Sequence, residues 1–210
     1  MMIPRLGWAI LLAAGPGPDD CGCAKARQTH GWCSACGVGY VAGMRIASAK
    51  LYEAVHPHGH DIDPRSVRCE GCRRAIATDG YCDACRMGFV GRQAYFSRLT
   101  YCLAKGKTGG GCAACRGDAP QPRWCDRCGA GRLGNVSLQR KEVYLEACRG
   151  YGRLRWAMRE LARCETCAVA MYCDGVCVKC GKRYRGGEAT TQRAGGATSR
   201  PGGQARPRRG

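Results

Sequence analysis

Cysteine pairs spaced by two residues recur along this chain at a fixed interval, and no other feature limits its folding as tightly. Cys69, Cys72, Cys82 and Cys85 are written C-x2-C-x9-C-x2-C. The same spacing returns at Cys112, Cys115, Cys125 and Cys128, and again at Cys164, Cys167, Cys177 and Cys180. A first copy, Cys21, Cys23, Cys33 and Cys36, keeps the nine-residue gap but shortens its opening pair to C-x-C. Cysteine is abundant, at 19 of 210 residues, while Trp, Tyr and Phe together are few and glycine numbers 32. Units so poor in core-building residues need disulfides or metal to fold. The chain therefore reads as a tandem array of small stapled modules, and a period of this kind has to be recognised before any other assignment.

The register extends beyond the sulfurs. Gly39, Gly88 and Gly131 each stand three residues after the last cysteine of a copy, and Tyr40, Phe89, Arg132 and Tyr184 stand one further on. Tyr52, Tyr101 and Tyr144 follow at sixteen residues, inside stretches that read as short amphipathic helices. Each complete module is expected to hold two cysteine pairs on hairpin-like turns, a short extended piece and a helix. The fourth lacks the helix. Between modules 3 and 4, Leu154, Met158 and Leu161 have helical spacing, and Gly150 and Gly152 are expected to break that stretch into two helices.

Two close pairs of thiolates suit tetrahedral zinc, because a C-x2-C turn presents both sulfurs and backbone amides to an ion. Gly37, Gly129 and Gly181 follow a closing cysteine and permit the left-handed turn of such a knuckle. In these residues each module, over roughly 20 positions, resembles the zinc-ribbon and rubredoxin-knuckle class. The resemblance implies that the sixteen cysteines named above make four sites of four thiolates each, holding about four Zn2+ ions. Iron on the same thiolates is an alternative. So are disulfide staples in an exported chain. A thioredoxin-like redox role is disfavoured, since no βαβ pattern surrounds any pair. In module 1, His30 lies close enough to replace one sulfur, although four cysteines are expected by analogy with the sister copies.

Three cysteines do not recur. Cys102 and Cys148 read as helical core filling, while Cys173, within the fourth ligand loop, could compete for metal. His56, His58 and His60, with Asp61 and Asp63, form either a labile nitrogen and oxygen metal site or a solvated turn. Trp32, Tyr81 and Trp124 precede the third cysteine of their modules, with Arg73, Arg74, Arg86 and Arg123 nearby. They could stack on bases, but repetition at one register position favours packing over the knuckle.

The formal charge of +18 is unevenly placed: residues 182 to 210 carry +7 and the remainder +11. Zinc on four thiolates leaves −2 at each site, so the loaded body falls to about +3. Any nucleic-acid attachment is then expected to be weak, sequence-blind and carried by the tail, through Arg183, Arg185, Arg206, Arg208 and Arg209.

The expected plan is an apolar N-terminal segment (1–18) with the outline of a short secretory signal, which slightly favours export or the cell envelope. Zinc modules follow over 19–64, 65–107, 108–160 (with a helical linker) and 161–185, and a disordered basic tail over 186–210. The apolar run is too short to span a bilayer. No Ser/His/Asp set, phosphate loop or paired carboxylates can be read, so no enzyme is expected. The expected fold is a small metal-stabilised repeat protein whose zinc-ribbon-like modules build a scaffold for a protein partner. The alternatives are a nucleic-acid-binding protein and, if exported, a thiolate metal buffer or scavenger.

Overall fold

The computed structural model describes residues 21–110, 112, 115 and 119–190. The N-terminal segment and the tail beyond residue 190 lie outside them. Among the described residues, six helices alternate with thirteen short strands in four small antiparallel sheets.

Module 1 runs through α1 (Cys23–Thr29), β1 (Trp32–Cys33), β2 (Val38–Val41), β3 (Met44–Ile46) and α2 (Ala49–Val55). Module 2 repeats it with α3 (Glu70–Ala77), β5 (Tyr81–Cys82), β6 (Met87–Val90), β7 (Gln93–Tyr95) and α4 (Arg98–Ala104). The linker before it adds a fourth strand, β4 (His60–Asp61), giving the order β4-β7-β6-β5. Module 3 has the same sheet from β8 (Lys107–Thr108), β9 (Ala119–Cys125), β10 (Ala130–Gly134) and β11 (Val136–Leu138), followed by α5 (Lys141–Leu161). Module 4 holds α6 (Glu165–Cys173), β12 (Arg183–Arg185) and β13 (Glu188–Thr190).

The opening cysteine pair does not sit on a hairpin-like turn in modules 1, 2 and 4. It opens a helix. Cys69 and Cys164 are the N-cap residues of α3 and α6, and Cys23 begins α1. The first turn of a helix has backbone N–H groups without intrahelical partners, so it offers a sulfur the same amides that a knuckle would. The gap residues are Ala-rich and favour this choice. Each helix ends alike: His30, Asp79 and Asp174 turn left-handed, and Gly31, Gly80 and Gly175 donate to Ala26, Ala75 and Ala170 at 2.7–2.8 Å. In module 3 the gap contains Pro120 and Pro122, which lack the N–H a helix needs, and a strand, β9, occupies it.

Two further expectations are corrected. The stretch after Arg140 is one 21-residue helix, not two. Gly150 lies against α4, where a Cβ would come within 2.8 Å of Leu99 Cβ and 3.2 Å of its Cα. Its role is a close helix crossing. A Cβ on Gly152 would meet nothing within 4 Å, so nothing in the packing demands that glycine. The folded body also extends beyond residue 185, since β13 pairs Ala189 with Tyr184.

The repeated tyrosines explain the repeated glycines. Trp32, Tyr81 and Trp124 stand opposite Gly39, Gly88 and Gly131 across their strand pairs. Tyr52, Tyr101 and Tyr144 lie over those glycines so closely that a Cβ would fall 2.0–2.2 Å from the ring. Each tyrosine thereby reaches the aromatic on the neighbouring strand, at 5.2, 5.4 and 5.4 Å between centroids with interplanar angles of 51–52°. This tilted packing buries Tyr52, Tyr101 and Tyr144 and leaves their partners half-buried at the root of the knuckle. The aromatics pack, as their repetition predicts.

The module helices do more than join the units. α2, α4, α5 and α6 bury Leu51, Val55, Leu99, Leu154 and Ala168 in one common core. Burying each large aliphatic side chain contributes about 1.5–3 kcal/mol. The exposed Lys50–Glu165 pair, at 3.1 Å, contributes about 0–1 kcal/mol. Ser48 caps α2 at Leu51 N–H and donates to Glu165 on α6, while Ser97, at the same register, hydrogen-bonds the Tyr172 hydroxyl. No helix among the described residues is long and apolar enough to cross a membrane.

Candidate metal centres

Each module gathers its own sulfurs. All four Sγ atoms lie within 4.8 Å of one another in the groups Cys21, Cys23, Cys33, Cys36; Cys69, Cys72, Cys82, Cys85; and Cys112, Cys115, Cys125, Cys128. In module 4 the same holds for Cys164, Cys167 and Cys177, and Cys180 Sγ stands 3.3 Å from Cys167 Sγ. The closest sulfur pairs are 3.3–3.9 Å apart, for example Cys69–Cys82 at 3.8 Å and Cys112–Cys115 at 3.6 Å. A disulfide brings sulfurs to about 2.05 Å. A tetrahedron with metal–sulfur bonds of about 2.3 Å has edges of about 3.8 Å. The observed spacing is too long for disulfides and would fit an ion's coordination shell.

Local structure sets this spacing. Gly37, Gly129 and Gly181 adopt φ of +62°, +59° and +70°, so the closing pair folds back as a knuckle. Module 2 places Arg86 there at +56°. Cys33, Cys72, Cys82, Cys115, Cys167 and Cys177 are buried, and Cys36, Cys85 and Cys180 reach the surface. In modules 1, 2 and 4 the buried sulfurs complete a minor core with one aromatic and one or two alanines: Tyr40 with Ala26, Phe89 with Ala75 and Ala94, Tyr184 with Ala170. In module 3 the aromatic is replaced by Arg132, only 2% exposed, which donates to the Gly109 and Gly110 carbonyls at 2.8 and 2.9 Å.

The thiols in each group have opposed acidities. Cys69 is drawn down to about 7, chiefly by the Cys72 backbone N–H, whereas burial pushes Cys72 up. Cys177 is drawn down to about 6, first by the Thr166 hydroxyl, while burial raises Cys167 to about 12. Thiols this close resist ionising together, because each new charge repels the last. A divalent cation removes that conflict and lets all four bind as thiolates. Thr166 Oγ1 lies 3.1 Å from Cys164 Sγ and 3.2 Å from Cys177 Sγ, and sequence reading does not pick it out. Its one signal is its place inside a C-x2-C pair.

The other candidates fall elsewhere. His30 Nδ1 accepts the Ala42 N–H at 3.1 Å, and burial lowers its pKa to about 4. It is committed to the fold, and module 1 gathers four cysteines. His56, His58 and His60 join no group of three ligands among the described residues. His58 instead meets the Tyr52 hydroxyl at 3.1 Å, and His56 and His60 flank Phe96 at 5.2 and 5.0 Å. Cys102 is core filling at 1% exposure, and Cys148 is half-buried. Cys173, which could have competed for metal, ends α6 and joins no group of gathered sulfurs among the described residues.

No family model, curated protein or solved structure matches this chain. The four cysteine groups could hold metal ions, and they are the chain's own best evidence of what it does.

Proposed function

We propose that the protein binds four zinc ions, one per module, and that these hold a non-enzymatic scaffold for a protein partner. The observation that carries this reading is the recurrence of sulfurs at tetrahedral spacing in module after module. Four thiolates close a coordination shell, which is the character of a structural zinc site. The first pair's helix N-terminus and the knuckle amides would orient and stabilise the thiolates, and Thr166 would donate to sulfur in module 4. Val176 and Val178, on either side of Cys177, are 44% and 89% exposed and offer apolar surface to a partner.

Burial of a sulfur in every module favours a structural role over a buffer that exchanges its metal freely. Zinc-loaded protein challenged with excess chelator tests the distinction. The expected result is metal loss that tracks global unfolding, accelerating with denaturant in step with the loss of aromatic circular dichroism. Rapid loss of all metal from folded protein, at a rate insensitive to denaturant, would make it a buffer.

A further inference from the structure

A cleft of about 920 Å3 lies where module 2, α5 and module 4 meet. Its walls carry Arg86, Arg98, Arg149, Arg153, Arg183 and Arg185 against three carboxylates, Asp83, Glu146 and Asp174. Those carboxylates brace arginines. Asp174 takes Arg86 at 2.8 Å and Arg153 at 3.1 Å. Asp83 takes Arg98 at 2.7 Å, and Glu146 is shared between Arg98 and Arg149. Arg98 is further pinned over the Tyr81 ring at 3.6 Å. Arg183 and Arg185 form no ion pair among the described residues and stand exposed on β12. The sequence groups these two with the basic tail, whereas the fold turns them into the cleft.

Two observations indicate what would enter. Arg86 occupies the left-handed position that glycine holds in modules 1, 3 and 4. A side chain there costs roughly 1–2 kcal/mol, and here it places a guanidinium in the cleft. Phe96 also lines the cleft, 44% exposed and steadied by the His56 and His60 rings. Braced guanidinium forks suit phosphate oxygens, and an exposed ring suits an unstacked base. A duplex keeps its bases stacked inside and would leave Phe96 unused. An acidic peptide would use the arginines alone.

We infer that this cleft binds single-stranded nucleic acid, with phosphates on the arginines and a base on Phe96. Neither the arginines nor Phe96 belong to the sulfur groups, although Cys85 of module 2 borders the cleft, and the proposal does not depend on which ion that group holds. Zinc thiolates behind Cys85 would offset part of the positive excess, so binding should be moderate and steeply salt-dependent.

The test is a salt titration of the affinity of full-length, zinc-loaded protein for a fluorescein-labelled mixed-sequence single strand. Each lost phosphate contact removes about 0.7 from the slope of log affinity against log salt. The triple variant Arg149→Gln, Arg183→Gln, Arg185→Gln should lower the slope by about 2 and weaken binding at least roughly tenfold. Phe96→Ala should weaken binding by about tenfold with the slope unchanged. Replacing Arg193, Arg200, Arg206, Arg208 and Arg209 by Gln should retain most of the affinity. Metal content equal to wild type shows that each variant is folded. Wild-type binding by the triple variant would overturn the proposal. So would complete loss of binding in the tail variant, or tighter binding of polyglutamate than of the nucleic acid.

Discussion

Removing metal is expected to abolish cooperative unfolding of the whole protein. The minor cores of modules 1, 2 and 4 are built around sulfurs, with a single buried aromatic each, and cannot stand without them. A structural zinc site contributes about 10–16 kcal/mol of binding free energy, whereas an entire domain is stable by only about 5–15 kcal/mol. Loss of four such sites exceeds anything the shared helical core can supply. Near-ultraviolet circular dichroism reads this directly, because Trp32–Tyr52 and Trp124–Tyr144 are asymmetric aromatic pairs at the roots of two knuckles. The signal should collapse with chelator and lose its sigmoidal thermal transition. An unchanged melting midpoint after complete metal removal would contradict the account.

Cys82→Ser should have the largest effect of any single substitution in module 2. Cys82 is 4% exposed and its sulfur lies 3.8 Å from Cys69 Sγ, within a group closed inside that module. The variant should bind one metal fewer while modules 1, 3 and 4 keep theirs. The damage should nevertheless spread in stability, because α4 of module 2 puts Leu99, Cys102 and Leu103 into the core shared with α2, α5 and α6. Loss of a metal site belongs to the few changes that cost more than about 4 kcal/mol. Metal content by elemental analysis and a denaturant titration on the same sample separate the two effects. Loss of all metal would show that the sites are interdependent.

The candidate site was largely legible. Sixteen cysteines at recurring spacings name their own groups, because four sulfurs must be brought within one coordination shell whatever backbone carries them. The recurrence of Gly39, Gly88, Gly131 and of Tyr52, Tyr101, Tyr144 was legible as register, but only the structure shows that each tyrosine lies upon its glycine. What failed was the backbone between the first and second pairs. A hairpin turn and a helix N-terminus both present amides to sulfur, so spacing alone does not choose between them. The discriminating signal was local: alanines in the gaps of modules 1, 2 and 4, and Pro120 and Pro122 in module 3. Gly150 misled for a different reason. A glycine in a helical stretch reads as a breaker, while its use in close approach to Leu99 depends on a partner helix distant in sequence. The cleft was invisible for the same reason, since Arg86, Arg149 and Arg185 come together only in three dimensions.

The central claim is that each module closes one metal centre. Native mass spectrometry of the full chain, purified under reducing conditions and loaded with zinc, tests it most directly. The account predicts a dominant species carrying four zinc ions, with sixteen cysteines protected from alkylation and Cys173 reactive. A species with two metals or fewer, or a metal-free chain with intact disulfides between the paired cysteines, would contradict it.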